Sequence, residues 1–252
     1  MPDERIELRF YAELCELLPR RHRSGRISHP YIPTQSVKDL IESYGVPHTE
    51  VEVVLVDGRS VGWDHRPRAG QRVSVYPVFE AFDVRPLLRL RPEPLRETRF
   101  VLDGHLGTLA RRLRLLGFDS LYTDEADDDE LVQVSLRDRR ILLTRDRFLL
   151  RRRVVTHGYL LRSDVPSEQV QEVVRRFQLG ASIRPYTRCP ACNGQLRPVE
   201  KAAIAHRLPP GTRRSYDDFR TCPDCGRDYW RGAHHARLVR LVAAARAAGS
   251  MA

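Results

Sequence analysis

Residues 5–11 (RIELRFY) alternate apolar and polar side chains, the period of a strand with one buried face. At Val37–Tyr44 the rhythm becomes helical, with Ser36 placed to accept from the first free amides as an N-cap. VEVVLVDG (51–58) reads as a strand closed by an Asp-Gly turn, and QRVSVYPV (71–78) as another alternating strand. Strands around one helix within about 80 residues predict a small α+β unit. Residues 83–98 (DVRPLLRLRPEPLRET) hold three prolines and no period, which excludes a continuous helix and predicts a linker.

From residue 99 strand and helix patterns alternate. RFVLD (99–103) is a short apolar strand ending in an aspartate. Leu106, Leu109, Ala110, Leu113 and Leu116 recur at helical spacing, and Gly117 follows as the residue that closes the helix. FDSLY (118–122) predicts a second strand, and Asp128–Arg137 a second helix whose acidic start suits the helix dipole. RILLT (140–144) predicts a third strand, and Pro166 opens a helix that runs through Phe177. Such strand–helix repetition predicts an α/β domain with a parallel sheet. The alanine-rich end, LVRLVAAARAAGSMA, reads as a fraying helix or tail.

Composition narrows the class. With 41% hydrophobic and 30% charged residues the chain is an ordinary folded protein, and no apolar run reaches the roughly 18–20 residues of a membrane helix. The charged start, MPDERIELRF, lacks a signal-peptide core, so the cytoplasm is the expected compartment and no membrane partner is expected. The net charge of +10 is unevenly placed: residues 1–98 hold 15 basic and 15 acidic side chains, 99–180 hold 15 and 13, and 181–252 hold 13 and 5. That basic last third suits a phosphate-rich partner such as RNA, through counterion release and steering. Only Lys38 and Lys201 are lysines, so an arginine bias of the coding sequence accounts for the charge as well.

Cysteine spacing gives the sharpest chemical signal. Cys189-Pro-Ala-Cys192 and Cys222-Pro-Asp-Cys225-Gly226 are two C-x-x-C knuckles with 29 residues between them, a gap that an inserted hairpin would fill. Each knuckle can supply two thiolates to a tetrahedral zinc ion, and four filled positions make the ion structural. Gly226 suits the turn after the second knuckle, and Gly194 lies close after the first. A redox pair is the rival reading, but nothing thioredoxin-like surrounds either motif. Cys15, in the apolar stretch YAELCELL, is expected as a buried core thiol.

Carboxylates give a second, less specific signal. Asp103 and Asp146 each follow an apolar strand, where ligands of parallel sheets sit, and Asp128 heads the helix between them. Three such groups converging on one crevice would hold Mg²⁺ or Mn²⁺ for phosphodiester hydrolysis. Aspartates after strands are also common turn residues, and DEADDDE (124–130) equally fits a solvated cap. Arg111, Arg112 and Arg114 lie off the leucine stripe of their helix and either meet an RNA backbone or face solvent. Arg145, beside Asp146, belongs at the mouth of the site. Tyr229 and Trp230, among Arg207, Arg213, Arg214, Arg220, Arg227 and Arg231, either stack RNA bases or form the core of the ribbon. His234 and His235 follow, with no vacancy left by four cysteines.

Two resemblances sharpen these expectations. VLVDGRSV followed by RAGQRVSVYP resembles the β-grasp, ubiquitin-like proteins of the sulfur-carrier type. Those carriers end in Gly-Gly, whereas this chain runs on as Val78-Phe79-Glu80-Ala81-Phe82, so docking of a protein partner replaces carrier chemistry as the expected role. FVLDGHLGTLARRLRLLGFD, then DDEL, RILLTRDR and RSD-x-P-x-EQ, resemble the Mut-seven C-terminal RNase domain family, a branch of the PIN-like nucleases, over roughly residues 98–232. Members of that family also resemble this chain in a trailing zinc ribbon and, frequently, a ubiquitin-like domain in front. The resemblance implies a ribonuclease with Asp103 at the first-strand acidic position, Asp146 in the T-R-D motif and Asp128 in the D-x-x-L position. Asp124, Asp127 and Asp129 compete for that middle place, and a fourth acidic residue is not assigned. The expected organisation is a β-grasp domain (1–82), a linker (83–98), a PIN-like domain (99–182), a zinc ribbon (183–234) and a helical tail (235–252). The expected RNA contacts are Arg111, Arg112, Arg145 and Arg227; the alternative is a non-catalytic RNA-binding or adaptor protein.

Overall fold

A computed structural model describes residues 4–77, 89–90, 98–124, 126–232 and 235–250. Its contacts divide the chain into two compact units, Met1–Glu97 with Val132–Leu160, and Thr98–Leu131 with Leu161–Ala252. Apart from residues 89–90 and 98, the expected linker lies outside the described residues.

The N-terminal part runs β1 (Arg5–Phe10), α1 (Leu14–Leu17), β2 (Arg26–Pro30), α2 (Val37–Ser43), β3 (Val51–Val56), β4 (Arg59–Ser60) and β5 (Arg72–Pro77). The five strands form one sheet in the order β2-β1-β5-β3-β4, in which β1 and β5 are parallel and the other pairs antiparallel. This is the small α+β unit the alternating pattern predicted, in the β-grasp arrangement the resemblance implied. Ile6, Leu8 and Phe10 of β1, Val73 and Val75 of β5, and Leu40 and Ile41 of α2 are all buried. Each such side chain contributes about 1.5–3 kcal/mol. Ser36 caps α2 as expected, its hydroxyl oxygen accepting from the Asp39 amide at 3.1 Å. Asp57 and Gly58 take φ of 48° and 83°, the left-handed pair that a two-residue hairpin needs between β3 and β4. Cys15 departs from expectation. It is half-buried, and its thiol donates to the Phe10 carbonyl at 3.3 Å, because α1 is a single short turn that leaves the sulfur at the core's margin.

Beyond residue 98 come β6 (Arg99–Leu102), α3 (Gly107–Leu115), β7 (Asp119–Tyr122), α4 (Asp128–Arg137), β8 (Ile141–Thr144), α5 (Arg147–Arg151), β9 (Gly158–Leu160) and α6 (Pro166–Arg176). In the second unit β6 pairs in parallel with β7, and in the first unit β8 pairs in parallel with β9. The stripe Leu106, Leu109, Ala110, Leu113 and Leu116 is buried throughout. Gly117 closes α3 at φ +99°, where a Cβ would stand 2.3 Å from the Arg184 carbonyl oxygen.

The first unit joins its two chain segments by buried polar contacts that the hydrophobic pattern did not announce. His48 reaches the Val155 carbonyl at 2.8 Å through Nε2 and the buried Glu42 carboxylate at 2.7 Å through Nδ1. Glu50, fully buried, accepts from the Leu160 amide at 2.6 Å. Lys38 and Arg147 add longer contacts, to the Arg151 carbonyl at 3.5 Å and the Gly45 carbonyl at 3.4 Å.

The C-terminal part of the second unit consists of β10 (Arg197–Val199), α7 (Lys201–Ile204), α8 (Pro210–Ser215), β11 (Phe219–Thr221), β12 (Asp228–Trp230) and α9 (His235–Ser250). The three strands form an antiparallel sheet in the order β10-β11-β12. The chain between the knuckles carries two short helices between β10 and β11 rather than an inserted hairpin, α8 being started by Pro210 in its first turn. The end read as a fraying helix or tail is a helix, with Leu238, Ala245 and Ala248 buried. Its small residues permit close packing, with Gly249 set against Gly180 so that a Cβ would lie 2.7 Å from the Gly180 Cα. No helix among the described residues is long and apolar enough to cross a membrane.

Candidate metal centre

The two knuckles share one backbone design. In the first, the Cys189 carbonyl accepts from the Asn193 amide at 3.0 Å, and the Cys189 amide donates to the Gly194 carbonyl at 2.8 Å. In the second, the Cys222 carbonyl accepts from the Gly226 amide at 2.8 Å, and the Cys222 amide donates to the Arg227 carbonyl at 2.9 Å. The fourth residue after each leading cysteine is left-handed, Asn193 at φ 73° and Gly226 at φ 70°. Asn193, not Gly194, is therefore the counterpart of Gly226, asparagine being among the few residues that tolerate this conformation. Gly194 serves close approach instead, since a Cβ there would meet the Asp224 carboxylate at 2.1 Å.

These turns aim four sulfurs at one point. The Sγ atoms of Cys189, Cys192, Cys222 and Cys225 all lie within 4.8 Å of one another, with Cys189–Cys225 at 3.6 Å and Cys192–Cys222 at 3.4 Å. A tetrahedral ion with Zn–S bonds of about 2.3 Å needs sulfur–sulfur edges of about 3.8 Å, so the set fits such an ion. Burial pushes the Cys189 thiol up, but the Tyr229 hydroxyl and the amides of Cys192 and Ala191 outweigh it and bring it to about 7. Burial pushes Cys192 up to about 12. Tyr229 stays a donor, its phenol raised by burial and by the neighbouring sulfur, and its hydroxyl stands 2.9 Å from Cys189 Sγ.

The cysteine cluster is fastened to the strand–helix layer of its own unit. Asn193 accepts from the Ser120 amide at 2.9 Å and donates to Asp119 at 2.8 Å. Arg188 bridges the Asn193 carbonyl at 2.8 Å and Asp119 at 3.1 Å. Arg114, read from sequence as a candidate RNA contact, is buried; it donates to the Ser120, Ala191 and Pro190 carbonyls at 2.8, 2.8 and 3.3 Å. Its position next to the leucine stripe turns it inward, so its role is to hold the first knuckle against β7. Arg111 and Arg145 are exposed, Arg112 is half-buried and Arg227 is exposed. Tyr229 packs on the cysteine cluster and Trp230 on Phe219 and its neighbours, so both rings belong in part to the ribbon core. His234 and the side chain of His235 lie outside the described residues.

The aspartates are placed one by one by their own elements. Asp103, half-buried, follows the last residue of β6. Asp128 is the exposed first residue of α4, whose N-terminus is capped by Asp127 accepting from the Glu130 amide at 2.8 Å. Asp146, exposed, accepts from the Phe148 amide at 2.7 Å through Oδ1 and so caps α5, while its own amide donates to the Thr144 hydroxyl at 2.9 Å. Asp124 is tied to the turn after Asp103: the Tyr122 hydroxyl lies within hydrogen-bond reach of both the Gly104 carbonyl, at 2.7 Å, and the Asp124 carboxylate, its one proton shared between these acceptors. That bridge needs Gly107, where a Cβ would stand 2.7 Å from the Tyr122 ring. Burial and the Asp124 charge push the Tyr122 phenol up to about 12, so it remains a donor.

The family model described as Mut7-C RNAse domain matches residues 98–242, and that described as Mut7-C ubiquitin matches residues 3–83. No curated protein and no solved structure matches the chain.

Proposed function

Because the chain belongs to the Mut7-C RNAse domain family, we propose that it is a metal-dependent ribonuclease whose carboxylate site is Asp103, Asp128 and Asp146. The family match over residues 98–242, more than half of the chain, is the observation that carries this reading. Local geometry agrees with it. Asp103 and Asp146 both follow the carboxyl ends of strands in parallel pairs, where α/β sheets take their ligands. Asp146 commits one carboxylate oxygen to its helix and keeps the other. Asp124, held against the turn after Asp103 by Tyr122, competes with Asp128 for the middle position, whereas the Asp127 carboxylate is engaged by α4.

When bound by these carboxylates, Mg²⁺ or Mn²⁺ would make a water nucleophilic and offset the charge of the phosphate. The chain's own residues do the rest: carboxylates repel phosphate, so the grip on RNA falls to cations elsewhere. Arg111, Arg112, Arg145 and Arg227, with the basic segment 181–252, supply them. The four cysteines hold a structural Zn²⁺, because all four tetrahedral positions are taken by thiolates. For residues 1–82 the proposed role is protein docking, and the turn at His48–Glu50 already docks residues of its own chain.

The test is cleavage of a labelled, mixed-sequence RNA by wild type, Asp146→Asn, Asp128→Asn and Asp124→Asn, each with Mn²⁺, Mg²⁺ or neither. Cutting that needs the added ion and disappears in Asp146→Asn supports the nuclease, and comparison of the other two variants assigns the middle ligand. RNA bound but never cut moves the assignment to a docking protein in which Asp146 is a helix cap only.

A further inference from the structure

One cleft of the second unit has a role that neither the carboxylates nor the zinc require. It has a volume of about 750 Å³, within the ordinary range of ligand sites, and lies between the ribbon, the start of α9 and the outer side of α3. Tyr186, Tyr216, Tyr229 and Trp230 line it, all half-buried, so each offers part of a ring to a ligand. Arg112 and Arg237 line it too. Asp228, the single acidic side chain among the described residues of its wall, is already paired with Arg207 at 3.1 Å, so the wall stays positive.

Three details show rings held in place. Gly232 packs on the edge of the Trp230 indole, where a Cβ would stand 2.5 Å from Nε1; only a glycine lets the chain pass this close and leave the ring where it is. The Tyr229 ring is fixed from behind by its hydroxyl on Cys189 Sγ. Tyr186 has φ +62°, a strained conformation for an aromatic residue, and its ring lies 5.7 Å beneath the Arg231 guanidinium.

We propose that this cleft takes an unpaired nucleobase of single-stranded RNA, stacked on Trp230, with Arg112 and Arg237 on the flanking phosphates. Charge complementarity selects this occupant: residues 181–252 carry 13 basic against 5 acidic side chains, which opposes a basic or neutral peptide and favours a polyanion. Flat rings beside cations favour a polyanion with exposed bases over a duplex, whose bases are hidden in the stack. The indole N–H, a donor only, suits the carbonyl and ring-nitrogen acceptors of a base edge. The proposal deepens the ribonuclease reading by naming the form of RNA bound, but it concerns binding and needs no cleavage.

The experiment is equilibrium binding of a fluorescein-labelled unstructured decaribonucleotide and of an RNA duplex of equal length. Zinc-loaded full-length protein is used without added Mg²⁺ or Mn²⁺, and anisotropy is read. Loss of one stacking platform weakens binding about 5- to 150-fold. Trp230→Ala should show that loss on the single strand, Trp230→Phe should restore most of it, and Gly232→Val should mimic the loss by pushing the indole out of its place. Trp63→Ala, in the other unit, should bind as wild type does. Unchanged single-strand affinity in a zinc-replete Trp230→Ala protein overturns the proposal, as does equal weakening for the duplex. If Trp230→Ala fails to retain zinc, Gly232→Val against wild type decides. Absence of cutting with Mn²⁺ removes the nuclease reading and leaves this result standing. Cutting with no response to Trp230 or Gly232 removes the cleft alone.

Discussion

His48→Ala tests how firmly the β-grasp sheet is built into the segment that carries Asp146. The substitution removes the Nδ1 contact to the Glu42 carboxylate at 2.7 Å and the Nε2 contact to the Val155 carbonyl at 2.8 Å. It also removes an edge-on ring contact with Trp63 at 5.8 Å. A hydrogen bond to a charged group is worth about 1.5–3 kcal/mol and a neutral one about 0.5–1.5. The ring contact adds about 0.5–1.5 kcal/mol. Glu42 keeps Lys38 at 3.3 Å and Arg151 at 3.7 Å, so its charge is not left bare. The expected loss is about 3–5 kcal/mol, a large part of a total stability of about 5–15. Urea unfolding measures it, and hydrogen exchange of β9 should rise with it. A loss below about 1 kcal/mol would refute the reasoning and make the contact incidental. The same site gives a pH signature. Burial pushes the Glu42 carboxyl up, but His48 and Lys38 outweigh it and hold it below the usual range. A depressed carboxyl contributes stability that is complete above its unfolded value of about 4.3 and is lost as pH falls through the folded value. Glu42→Gln should therefore flatten the acid limb of the stability curve below about pH 4.3.

Other substitutions probe the second unit. Cys222→Ser should abolish stoichiometric zinc, measured by metal analysis, and unfold the ribbon, because metal binding and folding are coupled in modules of this size. Gly117→Ala should destabilise by about 2 kcal/mol or more in urea, since the left-handed position costs about 1–2 and the added Cβ collides with the Arg184 carbonyl. Arg114→Met should cost about 2–4 kcal/mol from three lost carbonyl contacts, yet leave the salt dependence of RNA binding unchanged, because the guanidinium is buried.

The parts of the fold most legible in the sequence were those with local causes. The leucine stripe of α3, the Ser36 cap and the Asp57-Gly58 turn are decided within a few residues, so period and turn chemistry revealed them. Both knuckles were readable for the same reason, a thiol pair on a tight turn. Arg114 was not: its burial depends on carbonyls more than 70 residues away, at Pro190 and Ala191. His48 and Glu50 were missed likewise, since their partners lie across the chain at Val155 and Leu160, and Glu42 was missed with them, since its buried partner is His48. One hint was available, because Glu50 stands just before an otherwise apolar strand and Glu52 interrupts it, and both are buried. The cleft at Trp230 was legible only as composition, aromatic residues among arginines; the close packing of Gly232 on the indole is a long-range fit that no pattern shows.

The two knuckles have the same backbone, and a single atom pattern separates them. At the left-handed position one has a bare glycine and the other an asparagine whose amide grips Asp119 and Ser120. The ribbon thus has a handle on one side only. Were both positions glycine, Arg114 and Arg188 would still reach the backbone of the first knuckle, but its direct side-chain hold on Asp119 and Ser120 would be gone. With Asn193 present, one residue closes the metal-binding turn and clasps the neighbouring strand, so the geometry of the thiols and the seating of the ribbon depend on the same side chain.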